Sequence, residues 1–260
     1  MTIAHETTGS GDHAVLAVHG WFGSASAWAP LRPHLDTTAF RYVFCDLRGY
    51  GARRGVPGEH TLAEAAGDVL ALADALSLET FSLLGHSMGG AVAQRVLADA
   101  PDRVRAVVGV SPVPASGVPF DDAGWDLFSG AATDPGARRA IIDLTTGNRL
   151  TGVWLDAMVR HSLESSDQQA VADYLRAWAR TDFHREVAGS RVPVKAIVGE
   201  HDPALGAETM RQTFAEFYPR CEIEVLANCG HYAIDETPVA LATSIEAFLR
   251  ELGQGQLADS

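Results

Sequence analysis

Cysteine is scarce in this sequence, with only Cys45, Cys221 and Cys229 among its 260 residues. An odd number of cysteines without metal-type spacing argues against both a disulfide framework and a cysteine-held metal site. Long apolar runs are absent too, and none approaches the roughly 20 residues that a membrane-spanning helix needs. Residues 1–19 contain no basic stretch followed by an apolar segment, so no secretory signal is evident. Together these absences predict a cytoplasmic protein without a membrane partner.

Basic residues are outnumbered by acidic ones: Lys and Arg total 20, Asp and Glu total 33, and the formal net charge is −13. A protein of this sign repels the phosphate backbone of DNA and RNA, so no nucleic-acid partner is expected. The only lysine is Lys195. The partner that we expect is a small-molecule substrate, and no pattern in the sequence indicates an oligomeric state.

Short apolar runs alternate with helical segments through most of the chain, whose length suits a single α/β domain. The runs that predict strands are 14–19, 41–45, 81–84, 104–110, 194–198 and 222–226. The segments that predict helices are 28–35, 62–76, 91–100, 208–217 and 238–252. Thr61 and Glu64 form a capping box at the start of the second of these helices. The alternation predicts a mostly parallel, doubly wound sheet with helices on both faces.

One long region interrupts this alternation. From Ser111 to about Arg191 no strand-like run occurs, and the segment carries helical patterns rich in aromatic residues. We interpret it as a helical cap, residues 112–191, inserted after a central strand of a core formed by residues 1–111 and 192–260. Such a cap is expected to cover the carboxyl edge of the sheet, where open α/β sheets bind their ligands.

Residues 85–89, Gly-His-Ser-Met-Gly, match the pattern of a nucleophile elbow. An apolar strand precedes the motif and a helix follows it at once, as that turn requires. A sharp strand-to-helix turn strains the backbone of the serine and leaves room only for small neighbouring residues. The N-terminus of the following helix favours negative charge that develops beside the serine. Ser87 is therefore the candidate nucleophile.

Four separated motifs give the chain a resemblance to the α/β-hydrolase superfamily over roughly residues 14–252. They are His19-Gly20-Trp21, the elbow at 85–90, Gly199-Glu200-His201-Asp202, and Gly230-His231. Their chain order of Ser, Asp and His is the one that this fold uses. The resemblance implies an α/β-hydrolase fold with a helical cap, similar to the Ser-Asp-His esterases and lactonases, with no metal and no organic cofactor.

The resemblance implies His231 as the general base, because the family places its histidine after the last strand and commonly behind a glycine such as Gly230. A serine hydroxyl is a weak nucleophile unless such a base removes its proton. Five other histidines are weighed as alternatives: His19, His86, His161, His184 and His201.

Asp202 is the implied orienting acid, because it follows a strand at the family's usual position for that carboxylate. There it would fix the histidine tautomer and stabilise the imidazolium. Its rivals are Glu200, which precedes that position, and Asp235, which we interpret as shaping the start of the last helix.

The backbone amides of Trp21 and Met88 are the implied oxyanion-hole donors, since these residues follow the first motif and the nucleophile. Cap side chains should line the substrate pocket, because a cap over an active site must face it. The cap residues that we predict to line it are Trp125, Phe128, Trp154, Met158 and Trp178.

The expected activity is hydrolysis of a small to medium, largely apolar carboxylic ester or lactone through an acyl-enzyme on Ser87. Ser87 excludes the epoxide hydrolases and haloalkane dehalogenases, which resemble this scaffold but use an aspartate nucleophile. The position of Lys195 near the start of a strand counts against the hydroxynitrile lyases, which depend on a lysine near the triad.

Several other activities of this scaffold stay open. Hydrolysis of carbon–carbon bonds in ring-cleavage products uses the same three residues, and Arg149, Arg160 or Arg176 would bind the carboxylate of such a substrate. Perhydrolysis and acyl transfer to another acceptor are further alternatives. A non-enzymatic alternative is a small-molecule receptor of the same fold that retains the three residues.

Overall fold

The computed structural model describes residues 3–258, with side chains given as far as residue 252. Within this range seven strands form one sheet. In chain order they are β1 (His5–Thr8), β2 (His13–Val18), β3 (Phe40–Cys45), β4 (Phe81–His86), β5 (Val104–Val110), β6 (Val194–Gly199) and β7 (Cys221–Leu226). Their order across the sheet is β1-β3-β2-β4-β5-β6-β7. β1 is antiparallel to β3 and the other neighbouring pairs are parallel, which confirms the predicted mostly parallel α/β sheet.

Eleven α-helices lie in the described range. They are α1 (Leu62–Ala75), α2 (Met88–Asp99), α3 (Asp122–Gly130), α4 (Pro135–Thr145), α5 (Gly152–Ser165), α6 (Gln168–Arg180), α7 (His184–Val187), α8 (Ala207–Gln212), α9 (Phe214–Phe217), α10 (Ala233–Glu236) and α11 (Pro238–Ala258). Across residues 3–258, no helix combines the length and the apolar character that crossing a bilayer requires.

Local sequence explains why α1 begins at Leu62 and why residues 28–35 do not form an α-helix. Thr61 caps α1 by accepting a hydrogen bond from the Glu64 N–H at 3.1 Å, as predicted. The Glu64 carboxylate returns to the N–H of His60 rather than to that of Thr61, which varies the usual capping box. The helix predicted over 28–35 is wrong, since the chain forms only 3₁₀ turns at Ala25–Trp28 and Arg32–His34. Prolines in that segment remove backbone donors and prevent a continuous α-helix.

Both faces of the central strands are buried, which explains their near-continuous apolar sequences. Leu16 faces the side of the sheet where Val92 of α2 packs, and the next residue along β2, Ala17, faces the side where Ile245 of α11 packs. A fully buried Leu, Ile or Val side chain stabilises the fold by about 2 kcal/mol relative to an exposed one. The two helical layers thus hold the carboxyl edge of the parallel strands in a fixed position.

Between β5 and β6 the described chain contains five helices, α3 to α7, and no strand. Hydrogen bonds fasten this segment to loops at the carboxyl edge of the sheet. The Trp21 indole N–H donates to the carbonyl of Val171 at 2.8 Å, and the Asp167 N–H donates to the carbonyl of Gly49 at 2.8 Å. The helical segment therefore lies above the loops that carry the candidate functional residues.

Candidate active site

Ser87 lies between β4 and α2, and its φ of 53° and ψ of −117° are rare for a residue with a side chain. Its N–H donates to the carbonyl of Val110 at 3.0 Å. Its own carbonyl accepts from the N–H groups of Gly90 at 2.8 Å and Val113 at 3.0 Å. These three hydrogen bonds hold the strained turn in place, because a rare backbone conformation persists only when the surrounding structure fixes it. The turn places the Ser87 side chain in the wall of a cavity at the sheet edge.

Gly89 allows this turn to pack against β2. A Cβ atom at residue 89 would lie 2.2 Å from the carbonyl oxygen of Val18. We therefore expect Gly89→Ala to lower the free energy of unfolding by about 3 kcal/mol, as overpacking against backbone typically does. Urea denaturation measures this change. The matched control is Gly67→Ala in α1, where a new Cβ meets nothing within 4 Å and should raise stability by up to about 1 kcal/mol. Equal effects at both positions would contradict the packing explanation.

Asp202 and His231 form a buried pair beside the cavity. The Nδ1–H of His231 donates to Oδ2 of Asp202 at 2.7 Å, and Oδ1 of Asp202 accepts from the N–H groups of Ala204 and Leu205, each at 3.0 Å. Burial raises the pKa of Asp202, but the charge and hydrogen bond of His231 and these two amides outweigh it, so the pKa lies below its ordinary value. An ionised Asp202 therefore holds His231 with Nε2 free to accept a proton.

The close approach of two loops makes this pair possible. A Cβ atom at Gly199 would lie 2.1 Å from the carbonyl oxygen of Gly230, so only glycine lets the end of β6 reach the His231 loop. The N–H of His201 also donates to the carbonyl of Cys229 at 2.9 Å. The rival acid Glu200 instead accepts from the Asn228 N–H at 3.0 Å, with about half of its side chain exposed.

The His231 loop is held from several sides. The Glu236 carboxylate accepts from the N–H groups of Gly230 and Tyr232 and pairs with Arg149 at 3.0 Å. The Nε2–H of His86 donates to the carbonyl of His231 at 3.0 Å. Burial first, and then the nearby charge of His231, lower the pKa of His86 to about 3. His86 is therefore a neutral donor that positions the loop.

His19 holds the loop that carries Trp21. Its Nδ1–H donates to the carbonyl of Gly20 at 2.8 Å, while its Nε2 accepts from the N–H of Leu47 at 3.2 Å. These opposite roles require a neutral ring, and burial does lower the pKa of His19. No acceptor among residues 3–258 takes the backbone N–H of Trp21 or Met88, so both amides are available as donors.

Ser87 and His231 line the same cavity, whose space is about 800 Å³ when its open mouth is included. Most of the other lining side chains are apolar, and the aromatic ones pack closely, with the Trp21 and Phe128 rings stacked at 5.9 Å between centroids. The larger apolar lining residues are Trp21, Phe22, Phe120, Phe128, Ile141, Met158, Trp178, Leu205 and Ile234. The chamber thus suits an apolar molecule.

Three of the five cap residues predicted to line the pocket, Phe128, Met158 and Trp178, lie in this wall. Trp125 and Trp154 do not, which corrects that part of the prediction. Trp125 lies beneath the Arg180 guanidinium, 3.6 Å from its carbon to the ring centroid, and Trp154 packs edge-on against the Tyr232 ring at 5.6 Å. A helix offers several faces, and sequence alone does not indicate which aromatic face meets the site.

Phe120 and Asp235 line the cavity although the sequence analysis did not predict them there. Asp235 lies in α10, just before the last helix, and its carboxyl group is hydrogen-bonded to the Trp154 indole, while its neighbour Glu236 binds the N–H groups of Gly230 and Tyr232. The signal available in the sequence was its place only four residues after His231.

The three arginines considered as carboxylate anchors do not line the cavity. Arg149 pairs with Glu236, Arg176 pairs with Asp173 at 3.0 Å, and Arg160 lies in a separate outer groove. Lys195 pairs with Glu224 at 2.8 Å. No Arg or Lys of the described residues therefore lines the cavity. Nor do residues 3–258 group three His, Cys, Asp or Glu side chains in an arrangement that would hold a metal ion.

Known proteins resemble the chain over most of its length. A chloroperoxidase of the non-heme type from Streptomyces lividans is 28% identical over 91% of this chain and 91% of its own. The dihydrolipoyllysine-residue acetyltransferase component of an acetoin cleaving system from Pseudomonas putida is 28% identical over 95% of this chain. The chain spans 66% of that protein's length and 30% of that of a like-named component from Cupriavidus necator.

The solved structure of a thermophilic esterase from Thermogutta terrifontis superposes with a TM-score of 0.83 at 25% identity, covering 96% of this chain and 93% of the other. The model of the alpha/beta hydrolase family matches residues 15–244, which reach from β2 into α11. The chain therefore belongs to the alpha/beta hydrolase family.

Proposed function

We propose that this protein is a serine hydrolase that cleaves a small to medium, largely apolar carboxylic ester or lactone. The observation that supports this most is the shared apolar cavity of Ser87 and His231, with His231 hydrogen-bonded to a buried, ionised Asp202. Such a chamber desolvates the reacting groups and strengthens their electrostatic interactions.

In the proposed mechanism, His231 accepts the proton of Ser87 as the hydroxyl oxygen attacks the carbonyl carbon of the substrate. The amides of Trp21 and Met88 stabilise the resulting oxyanion, and Asp202 stabilises the imidazolium. His231 then gives its proton to the leaving alcohol, which leaves an acyl group on Ser87. Water attacks this acyl-enzyme by the same route and releases the acid.

Residues 112–191 act as the cap in this proposal. Phe128, Met158 and Trp178 of this segment line the chamber, and the carbonyl of Thr145 accepts from the N–H of His231 at 3.1 Å. The cap therefore selects the substrate and also supports the loop of the general base.

A carbon–carbon bond hydrolase acting on a dienoate is less well supported. A carboxylate-bearing substrate would need a cationic anchor, and Arg149, Arg160 and Arg176 all lie outside the chamber. Perhydrolysis is the second candidate, because a relative named as a chloroperoxidase aligns over nearly all of both chains.

A fluorophosphonate, which traps activated serines, tests the proposed nucleophile directly. We expect one covalent adduct, located on Ser87 by peptide mass spectrometry, together with loss of nitrophenyl butyrate hydrolysis at the same rate. Product analysis with hydrogen peroxide or alcohols as competing acceptors separates hydrolysis from perhydrolysis and acyl transfer. Labelling elsewhere with activity retained would reject the proposal, and ligand-induced thermal stabilisation with negligible turnover would favour a receptor.

A further inference from the structure

Asp235 is an acidic side chain in a chamber that is otherwise largely apolar. It lies in α10, four residues after His231, and lines the same cavity as Ser87. Among the described residues no Arg, Lys or His forms an ion pair with it, whereas its neighbour Glu236 pairs with Arg149 and binds two loop amides. The two adjacent carboxyl groups therefore differ: Glu236 holds the His231 loop, whereas Asp235 is hydrogen-bonded to the Trp154 indole and has no ion pair among the described residues.

The ionised form of Asp235 is destabilised when no ligand is bound. Burial, offset in part by the indole N–H of Trp154 and reinforced by the nearby charge of Glu236, raises the pKa of Asp235 to about 6. A carboxyl group with such a perturbed pKa inside a cleft is a candidate for ligand binding. At neutral pH its ionised form lacks a cationic partner, and a bound substrate can supply one.

The surroundings favour a cation over other hydrogen-bond donors. No Arg or Lys of the described residues lines the chamber, so no permanently charged cationic side chain there repels a positive ligand. Tyr232, three residues before Asp235 in the chain, also lines the chamber, and aromatic rings attract alkylammonium groups. The net charge of −13 also concentrates cations near the protein.

We propose that Asp235 is a specificity-determining residue that selects esters carrying an ammonium group, bound by its carboxylate within the aromatic chamber. This inference rests on the proposed serine hydrolase activity. It narrows the substrate class from apolar esters in general to esters with an apolar body and one cationic end.

Matched ester pairs test the proposal on each side of the scissile bond. One pair is butyrylcholine and its carbon isostere, in which a tert-butyl group replaces the trimethylammonium group. The other is the nitrophenyl esters of a dimethylamino acid and of its methyl-branched isostere. At about pH 8, where the carboxyl group is ionised, we expect the ammonium member of at least one pair to have the higher kcat/KM by about tenfold.

Asp235→Asn keeps the shape of the side chain and removes its charge, so it should bring this ratio close to one. Asp156→Asn on the outer face of α5, where Asp156 pairs only with Arg139 at 2.9 Å, is the matched control and should keep the ratio. A ratio near one in the wild type for both pairs, or an unchanged ratio in Asp235→Asn, would overturn the proposal.

Calorimetry with the Ser87→Ala variant separates this inference from the proposed function. The same esters then act as ligands that are not consumed. We expect the ammonium member to bind about tenfold more tightly, and the additional change Asp235→Asn to remove that difference. Equal affinities in Ser87→Ala would reject the role of Asp235. Ester turnover that persists in Ser87→Ala would reject the proposed nucleophile, while the affinity ratio would still report on Asp235.

Discussion

Replacing Ser87 by alanine is expected to lower kcat for the best ester about 10⁶-fold, with KM and the free energy of unfolding nearly unchanged. Alanine keeps the positive φ of 53° and the three backbone hydrogen bonds of the turn, so the elbow should persist. Only the attacking oxygen is lost, and with it the acyl-enzyme. Steady-state kinetics with nitrophenyl butyrate measures the change, and urea denaturation checks the fold.

Ser111→Ala is the matched control for this substitution. Ser111 follows β5 as Ser87 follows β4, is fully buried, and also has a positive φ, of 41°. Its hydroxyl has no partner among the described residues, so its removal breaks no hydrogen bond. Activity near that of the wild type is expected there. If Ser87→Ala retained more than about a hundredth of the activity, another nucleophile would have to carry the reaction.

The sequence predicted six of the seven strands, including the edge strand β7, and missed the other edge strand, β1. Val104–Val110 is predicted and observed with the same bounds, because a strand that is buried on both faces has a nearly continuous apolar sequence. β1, His5–Thr8, is polar and lies at the sheet edge with half-exposed side chains, so it carries no such signal. Its pairing with β3 is a tertiary contact that local sequence does not encode.

The turn at Ser87 and the pairing of Asp202 with His231 could be predicted from short motifs. These motifs contain glycines where two backbone segments approach each other closely. The residues that line the chamber could not be predicted from such motifs. Phe120 and Asp235 line the cavity while Trp125 packs against Arg180, and this depends on how residues 112–191 and α10 pack against the sheet. Aromatic content therefore predicts a lined pocket, and only the packing decides which rings line it.

Asp202→Asn is expected to lower kcat about 10⁴-fold with little change in KM. In the wild type, Oδ1 of Asp202 accepts from the Ala204 and Leu205 amides while Oδ2 faces Nδ1 of His231. The asparagine must keep its oxygen on those two amides, so its NH₂ group faces the imidazole. Nδ1 then becomes an acceptor, the proton moves to Nε2, and His231 can no longer take the proton of Ser87.

The same substitution should change how stability depends on pH. The pKa of Asp202 is lowered in the folded protein, so its carboxylate contributes stability that is fully present above its unfolded pKa of about 4. This contribution is lost as the pH falls through the lower folded pKa. Because asparagine does not titrate, the stability of the wild type relative to Asp202→Asn should decline below about pH 4, as measured by urea denaturation across pH.

Glu200→Gln is the control that separates orientation of the histidine from loss of a nearby negative charge. Glu200 lies two residues before Asp202 and half exposed, and a glutamine oxygen can still accept from the Asn228 N–H. Activity close to that of the wild type is expected. If Glu200→Gln and Asp202→Asn lowered kcat equally, a general electrostatic effect would explain both, and the tautomer of His231 would not be what Asp202 controls.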